Sequence, residues 1–453
     1  MSTPAVDPPP RHRLSPDDLR TIIVLLIAAF VVILNETIMN VALPSLMDEL
    51  SVSASTVQWL STAFLLTMAV VIPMTGFILQ RFTTRTVFIA AMSLFSAGTL
   101  VAGLAPGFPL LLVGRIVQAS GTAIMMPLLM TTVLRLVPAH ARGTMMGTVS
   151  IVISVAPALG PTVSGIILQS LSWRWMFFLV LPIALTALVV GAVRLRNIGE
   201  ARRTTIDLLS VLLAAVGFGG FVYGVSLAGE APGAWGRPEV LMPVVLGGAS
   251  LIAFVTRQFA LQRTDNPLLD LRVFRYPMFS LSVALFMIMM MGLFGSMILM
   301  PIYLQNVRGF GTLDTGLFLL PGGVLMGLAA PFVGRIFDRR GPVPLTTIGA
   351  SLLVLTLWRF STISADTPVP LLLGMHVAMT LGMALLSTPL MTTAMNPLPK
   401  RLYSHGSATM STLQQVAGAM GVALLVTVMS SRAQALMPAL GPDLAQAAGL
   451  RTA

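Results

Sequence analysis

The chain has 453 residues, 56% of them hydrophobic and only 9% charged, with a formal net charge of +11. A mean hydropathy of +0.90 over that length is more apolar surface than a water-soluble fold can bury, so the solvent must be lipid. The absence of cysteine excludes disulfide scaffolds and thiolate chemistry, and arginines that sit at the ends of apolar runs, with no basic stripe, argue against a nucleic-acid partner.

The first nineteen residues are Pro-rich and basic and read as a cytoplasmic tail; no cleavable signal precedes the first apolar run, which reads as an uncleaved anchor. Runs of roughly 20 or more apolar residues can cross a bilayer core of about 30 Å. They fall near 20–46, 57–79, 86–105, 109–134, 143–168, 174–195, 206–228, 240–262, 277–303, 313–334, 342–362, 368–395 and 405–431. Each is expected to be a helix, because a backbone in lipid must satisfy its own hydrogen bonds. The fold class is therefore all-α integral membrane, with thirteen spans.

In the first span, Leu34-Asn35-Glu36-Thr37-Ile38-Met39-Asn40 holds a carboxylate in the middle of a long apolar stretch. An acid at a helix centre costs roughly 2.5–3.5 kcal/mol on insertion scales. Such a group binds a proton, an ion or a cationic substrate, or else is a polar residue hydrogen-bonded between packed helices. Asn40 lies one turn on along the same face. In the fourth span, Arg115, Gln118 and Thr122 form a polar stripe at i, i+3 and i+7, and an uncompensated guanidinium forces that face inward. Arg115 either tunes the proton affinity of Glu36 or is a fixed strut. In the fifth span, Pro157, Gly160, Pro161 and Gly165 remove backbone donors and bulk, which predicts a bent helix that others approach closely, as a hinge or as simple packing. The ninth span carries Met287, Met289, Met290, Met291, Met297 and Met300, read mainly as lipid-facing filler, with a pocket for varied apolar shapes as the alternative. His376, in the twelfth span, is a second ionisable group at membrane depth, either a proton carrier or a hydrogen-bonding packer.

Basic residues test the count. One alternate set of loops carries 20 lysines and arginines, the other six, and Arg115 lies inside a span. The rich side is cytoplasmic by the positive-inside rule, which places the N-terminus inside. The chain also repeats itself. Pro73-Met74-Thr75-Gly76 with Arg81 recurs 258 positions on as Pro331-Phe332-Val333-Gly334 with Arg339; Met130-Thr131-Thr132 recurs at 391–393; and Gly143 matches Gly406. Spans 1–6 and 9–13 thus read as two copies of one unit, with spans 7 and 8 inserted. The expected division is a tail at 1–19, a six-helix bundle at 20–196, two inserted helices at 206–262, a C-terminal bundle of five helices at 277–432, and a polar tail at 433–453. The second copy is one helix short, read as a lost helix or a truncated sequence.

These motifs resemble the major facilitator superfamily, in its fourteen-helix drug:proton antiporter branch. Leu34–Pro44 is similar to that branch's first-helix signature, Leu-Asp-x-Thr-Ile-Val-Asn-Val-Ala-Leu-Pro, with Asn35 in place of Asp and the acid one place later. Residues 114–123 resemble its fourth-helix motif with a buried arginine, and 158–165 its fifth-helix antiporter motif. The loop motif between helices two and three keeps Gly76 and Arg81 but has Gln80 for its Asp, whereas the second copy keeps Gly334, Asp338, Arg339 and Gly341. The resemblance implies that gating rests on the second copy, although Arg335, Asp338, Arg339 and Arg340 also read as anchors and loop ion pairs.

The resemblance implies two pseudo-symmetric helical bundles and a monomeric exporter in a bacterial plasma membrane, swapping inward-moving protons for a small amphipathic molecule. No cofactor is expected beyond the proton gradient, since there is no Walker loop and no His-Glu-x-x-His metal site. One charge through 100 mV supplies about 2.3 kcal/mol, enough for roughly a fiftyfold gradient. The alternatives are a non-transporting remnant or sensor, and a proton-coupled transporter of a specific metabolite.

Overall fold

The structure is a computed structural model; it describes residues 15–198, 205–230, 234–364, 367–440, 448, 449 and 452. Among these residues there are helices and turns but no strands, and thirteen helices are long and apolar enough to cross a membrane. The helices are α1 (Pro16–Leu50), α2 (Ala54–Arg81), α3 (Thr84–Gly103), α4 (Phe108–Leu136), α5 (Arg142–Ser170), α6 (Trp175–Arg194), α7 (Leu208–Ala214), α8 (Gly220–Glu230), α9 (Pro238–Gln262), α10 (Pro277–Ile302), α11 (Thr312–Arg340), α12 (Val343–Phe360), α13 (Val369–Met395) and α14 (Tyr403–Leu440). A π-helical turn at Ala215–Gly219 joins α7 to α8 in one span, so the thirteen predicted spans are all found.

Short polar residues set the boundaries. Ser15 caps α1 in a reciprocal box with Asp18, and Pro16 opens the helix, so residues 16–19 are its first turn and not tail. Ser53 and Thr83 cap α2 and α3 more simply, each hydroxyl accepting from the amide three residues on, Thr56 and Thr86. At the other end α14 continues through residues 433–440, which the composition had suggested were polar tail.

Burial is inverted relative to a soluble protein. The centre holds Asn35, Arg115, Gln118, Thr99, Thr131, Ser150, His376 and Thr388, while Leu241, Ile252, Val354 and Trp358 face outward. Of the six methionines of that cluster, Met289, Met290 and Met300 are buried, Met287 and Met291 are partly buried, and Met297 is largely exposed. The lipid-facing expectation therefore fails for most of that cluster, because α10 packs against α13 and α14.

The inserted pair is attached by polar groups as well as by apolar packing. Asp207 caps α7 and accepts two bonds from Arg257 of α9, at 2.7 and 2.8 Å. Gln258 donates to Ser210 and accepts from the Leu268 and Leu269 amides of the α9–α10 linker. The unit rests on α2 and α14 through Phe77, Phe218, Phe254, Leu268 and Ala408. The Arg257 hydrogen bond holds the Asp207 carboxyl down at about 2. A depressed carboxyl stabilises the fold fully above its ordinary pKa near 4, and the contribution is lost as pH falls toward 2. Asp207→Asn is thus expected to lower the melting temperature of detergent-solubilised protein by a few degrees at pH 6, with the difference from wild type narrowing, without vanishing, as the melts are taken to pH 3.

Candidate functional site

Small residues bring α3 and α4 together at the depth of Arg115. A Cβ on Gly98 would lie 2.4 Å from the Gln118 amide, and one on Gly121 2.3 Å from the Ala91 carbonyl. This close approach lets the Gln118 side chain cross to α3, where its amide donates to Thr99 at 2.7 Å. Gln118 in turn accepts from Arg115 at 2.6 Å, and a second Arg115 bond, at 3.3 Å, reaches Asn35 of α1. The Arg115 guanidinium stacks over the Phe64 ring of α2 at 4.1 Å, and its Nε has no hydrogen-bond partner. One arginine, 1% exposed, therefore ties α1, α2, α3 and α4 together. A cation so placed is compensated by dipoles and a π-face, with no direct salt bridge among the described residues.

Glu36 lies one residue beyond Asn35 and shares none of the hydrogen bonds of this network among the described residues. It is half-buried and makes no hydrogen bond or ion pair among the described residues. Arg115 is the charged group that acts on it through space. Behind it, α1 is held against α5: a Cβ on Gly160 would sit 2.4 Å from Thr37 Oγ1, and that hydroxyl reaches back to the Ala156 carbonyl at 3.4 Å.

His376 lies on the opposite bundle, in α13. Its Nε2 is 3.4 Å from the Leu319 carbonyl of α11, its ring packs beside Phe318, and Gly322 leaves the space it fills. The Nδ1 is buried without a partner.

The two bundles meet along α5 and α11. Cβ atoms would come within 2.2 Å of the Gly143 carbonyl at Gly334, 2.3 Å of the Ala330 carbonyl at Gly147, 2.3 Å of Val155 at Gly327, and 2.4 Å of Ala158 at Gly323. Farther along both helices the approach loosens: a Cβ at Gly165 or Gly316 would meet nothing within 4 Å among the described residues. The seam is shut toward the arginine-rich end and released toward the other. Asp338 bolts the shut end, accepting from the Gly143 amide (2.8 Å), the Thr144 amide (2.7 Å) and the Thr144 hydroxyl (2.6 Å). A carboxylate on the free amides of a helix N-terminus is favoured both as a cap and by the helix dipole.

Residues 25–422 match the family described as Major Facilitator Superfamily. The chain belongs to the Major Facilitator Superfamily. It is 42% identical over 412 residues to the lincomycin resistance protein LmrB of Listeria monocytogenes, an alignment spanning 91% of this chain and 86% of that one. It is 31% identical over 435 residues to the multidrug resistance protein B homolog of Mycobacterium tuberculosis, spanning 94% and 80%. The human organic anion transporter MFSD10 shares its fold, with a TM-score of 0.67 at 15% identity over 96% of this chain and 98% of that one. Membership makes the protein a membrane transporter and not an enzyme.

In this facilitator the predicted site residues divide into three places. Glu36, Arg115 and Gln118 gather at the centre; the Asn40 and Pro161 side chains lie outside the described residues. Gly160 mediates a close approach and Gly165 does not, while Pro157 lies within an unbroken α5. At the arginine-rich end, Asp338 is inside α11 and engages backbone amides, so the loop ion-pair reading is corrected. Gly341 ends that helix at φ +75°, a conformation that favours glycine, and Arg339 is exposed. In the first copy, Gly76 abuts His405 and Gln80 donates to the Arg401 carbonyl at 2.9 Å; Arg81 lies 5.7 Å from the Phe82 ring centroid. An amide at position 80 thus reaches a carbonyl where the acid at 338 takes amides.

The sequence assigned no role to two residues of this facilitator. Asn35 is the α1 partner of Arg115, and Arg142 donates to Leu134 and Val137 carbonyls and across the bundle interface to Asn396 and Tyr403. The spacing of 263 that pairs Gly143 with Gly406 also pairs Arg142 with His405, whose Nδ1 accepts from the Asp270 amide. That coincidence was the available signal.

Proposed function

We propose that the protein exports small amphipathic molecules from a bacterial cell in exchange for protons, with its arginine-rich end and N-terminus in the cytoplasm. The observation that carries this reading is Glu36, a half-buried carboxylate with no hydrogen-bond partner among the described residues, one residue from the Arg115 network, in a fold whose bundles pack tightly at the arginine-rich end. A carboxylate that is not spent on structure is free to take up a proton from the open side. Names borne by the relatives, lincomycin resistance and multidrug resistance, support an amphipathic substrate.

The cycle follows from electrostatics. With the cytoplasmic end bolted by Asp338, Glu36 loads a proton from outside and loses its charge. Neutralisation removes the attraction that holds a cationic substrate, which leaves outward. Reopening toward the cytoplasm exposes the acid to a more alkaline side, where it releases the proton and rebinds substrate. His376, packed against α11, is a second candidate proton carrier on the opposite bundle.

One acid exchanging one proton makes transport of a monocation electroneutral. In proteoliposomes, monocation efflux is expected to follow an imposed pH gradient and to ignore an imposed potential, while a dication moves at least tenfold more slowly. Gradient-independent transport would remove the antiport assignment, and vigorous dication efflux would require a second acid.

A further inference from the structure

We propose that the arginine-lined mouth between α1, α3 and α6 binds the phosphate-bearing headgroup of an anionic phospholipid. This rests on the orientation given above only for which leaflet supplies the lipid. The mouth is a cavity of about 430 Å³ into which Arg20, Arg85, Arg194 and Arg196 project, with Asp17 as the one acid. That leaves three positive charges in excess. Asp17 is shared by Arg20 at 3.1 Å and Arg196 at 2.5 Å, which places these two largely exposed guanidinium groups at the rim. Arg85 and Arg194 make no ion pair and no side-chain hydrogen bond among the described residues, so their donors are left for a ligand. Asn197 holds the floor by accepting from the Arg85 amide at 3.3 Å. Planar guanidinium forks in a concave site match phosphate oxygens, and this volume accommodates a headgroup.

The surroundings favour a lipid over a soluble phosphate. Val193 both lines the cavity and is 69% exposed, and it continues down α6 to exposed Val189 one turn away. On α1, exposed Leu19, Ile23 and Ile27 form a parallel stripe starting beside Arg20, and α1 packs directly on α6. A phosphate seated among the arginines would therefore have its acyl chains laid on apolar helix faces at membrane depth. Basic pockets between spanning helices at the cytoplasmic surface have this recognition chemistry. The same α1 carries Asn35 and Glu36 farther along, so an occupied mouth would brace the helix that bears the acid.

The test is native mass spectrometry of the full-length, delipidated protein titrated with phosphatidylglycerol or phosphatidylethanolamine, with inorganic phosphate as competitor. Wild type is expected to retain one phosphatidylglycerol at least tenfold more tightly than phosphatidylethanolamine. R85Q/R194Q is expected to lose that preference, while R335Q/R340Q, at the same end but outside the cavity, keeps it. R85K/R194K, which conserves the charge and loses the fork, is expected to fall between, and it carries the test if the glutamine pair does not fold. Equal retention by wild type and R85Q/R194Q would overturn the site. Equal loss in both glutamine pairs would reduce it to general surface charge and overturn it too. Displacement of the lipid by millimolar phosphate would overturn the lipid as ligand in favour of a soluble anion. None of these readings depends on transport, so they stand apart from failure of the antiport assignment.

Discussion

Glu36→Gln proteoliposomes are expected to build no substrate gradient under an imposed one-unit pH difference, where wild type builds about tenfold. One proton moved down one pH unit supplies about 1.4 kcal/mol, and one-for-one exchange converts all of it to substrate accumulation. Glutamine keeps the size and polarity of the side chain but takes up no proton. Since Glu36 makes no hydrogen bond among the described residues, thermal stability is expected to change by less than about 0.5 kcal/mol, the range of substitutions away from structural contacts. Substrate binding read by fluorescence should lose its pH dependence and persist otherwise. A second variant sharpens the assignment. N35D/E36Q moves the acid to the position that forms a 3.3 Å contact with Arg115, and is expected to restore part of the gradient. A full gradient in E36Q alone would transfer coupling to His376.

Gly334→Val is expected to prevent closure of the arginine-rich end and to abolish net export. A Cβ there would fall 2.2 Å from the Gly143 carbonyl and 2.9 Å from the Thr144 Cα, both backbone atoms that no rotamer change can move aside. Overpacking of this kind costs about 1–3 kcal/mol. It would also displace Asp338 from the α5 amides, where three charge-assisted bonds are at stake. The chain has no cysteine, so a single thiol reports the result cleanly. Ser150, 3% exposed and bonded to Thr388 across the interface, becomes the probe as Ser150→Cys. Labelling by a membrane-impermeant reagent from the arginine-rich side should rise at least tenfold when Gly334→Val is added. Asp338→Asn is the milder counterpart, with the seam glycines intact and labelling raised severalfold. Unchanged labelling in Gly334→Val would mean that the seam is not the gate.

Much of the site was legible because lipid makes polarity conspicuous. Glu36, Arg115 and Gln118 stand out in apolar runs, and all three lie at the centre. Asn35 was visible only as a departure from the first-helix signature, with nothing in the sequence to give it a partner. A neutral amide is nonetheless what Arg115 reaches, since a helix turns by about 100° per residue and only one of two adjacent side chains can face α4. Asp338 was visible as part of a motif, yet its partner lies 195 positions away in a different bundle, and nothing local distinguishes an acid that pairs with arginine from one that caps a helix. The methionines of α10 looked like lipid-facing filler because their composition suits lipid and core equally.

By itself the sequence determined the solvent, the thirteen spans, the repeat and the residues that carry charge into the membrane. Each of these follows from a one-dimensional requirement: a span must be long enough, apolar enough and self-satisfied in its backbone bonds. Tertiary structure alone decided which end is shut, that Gly160 and not Gly165 draws helices together, that Arg142 crosses between bundles, and that four arginines converge on one mouth. Those outcomes depend on which helix faces meet. Between helices surrounded by lipid, that choice is made by the fit of small residues and by single polar partners far apart in the chain, because the hydrophobic effect no longer distinguishes one apolar face from another.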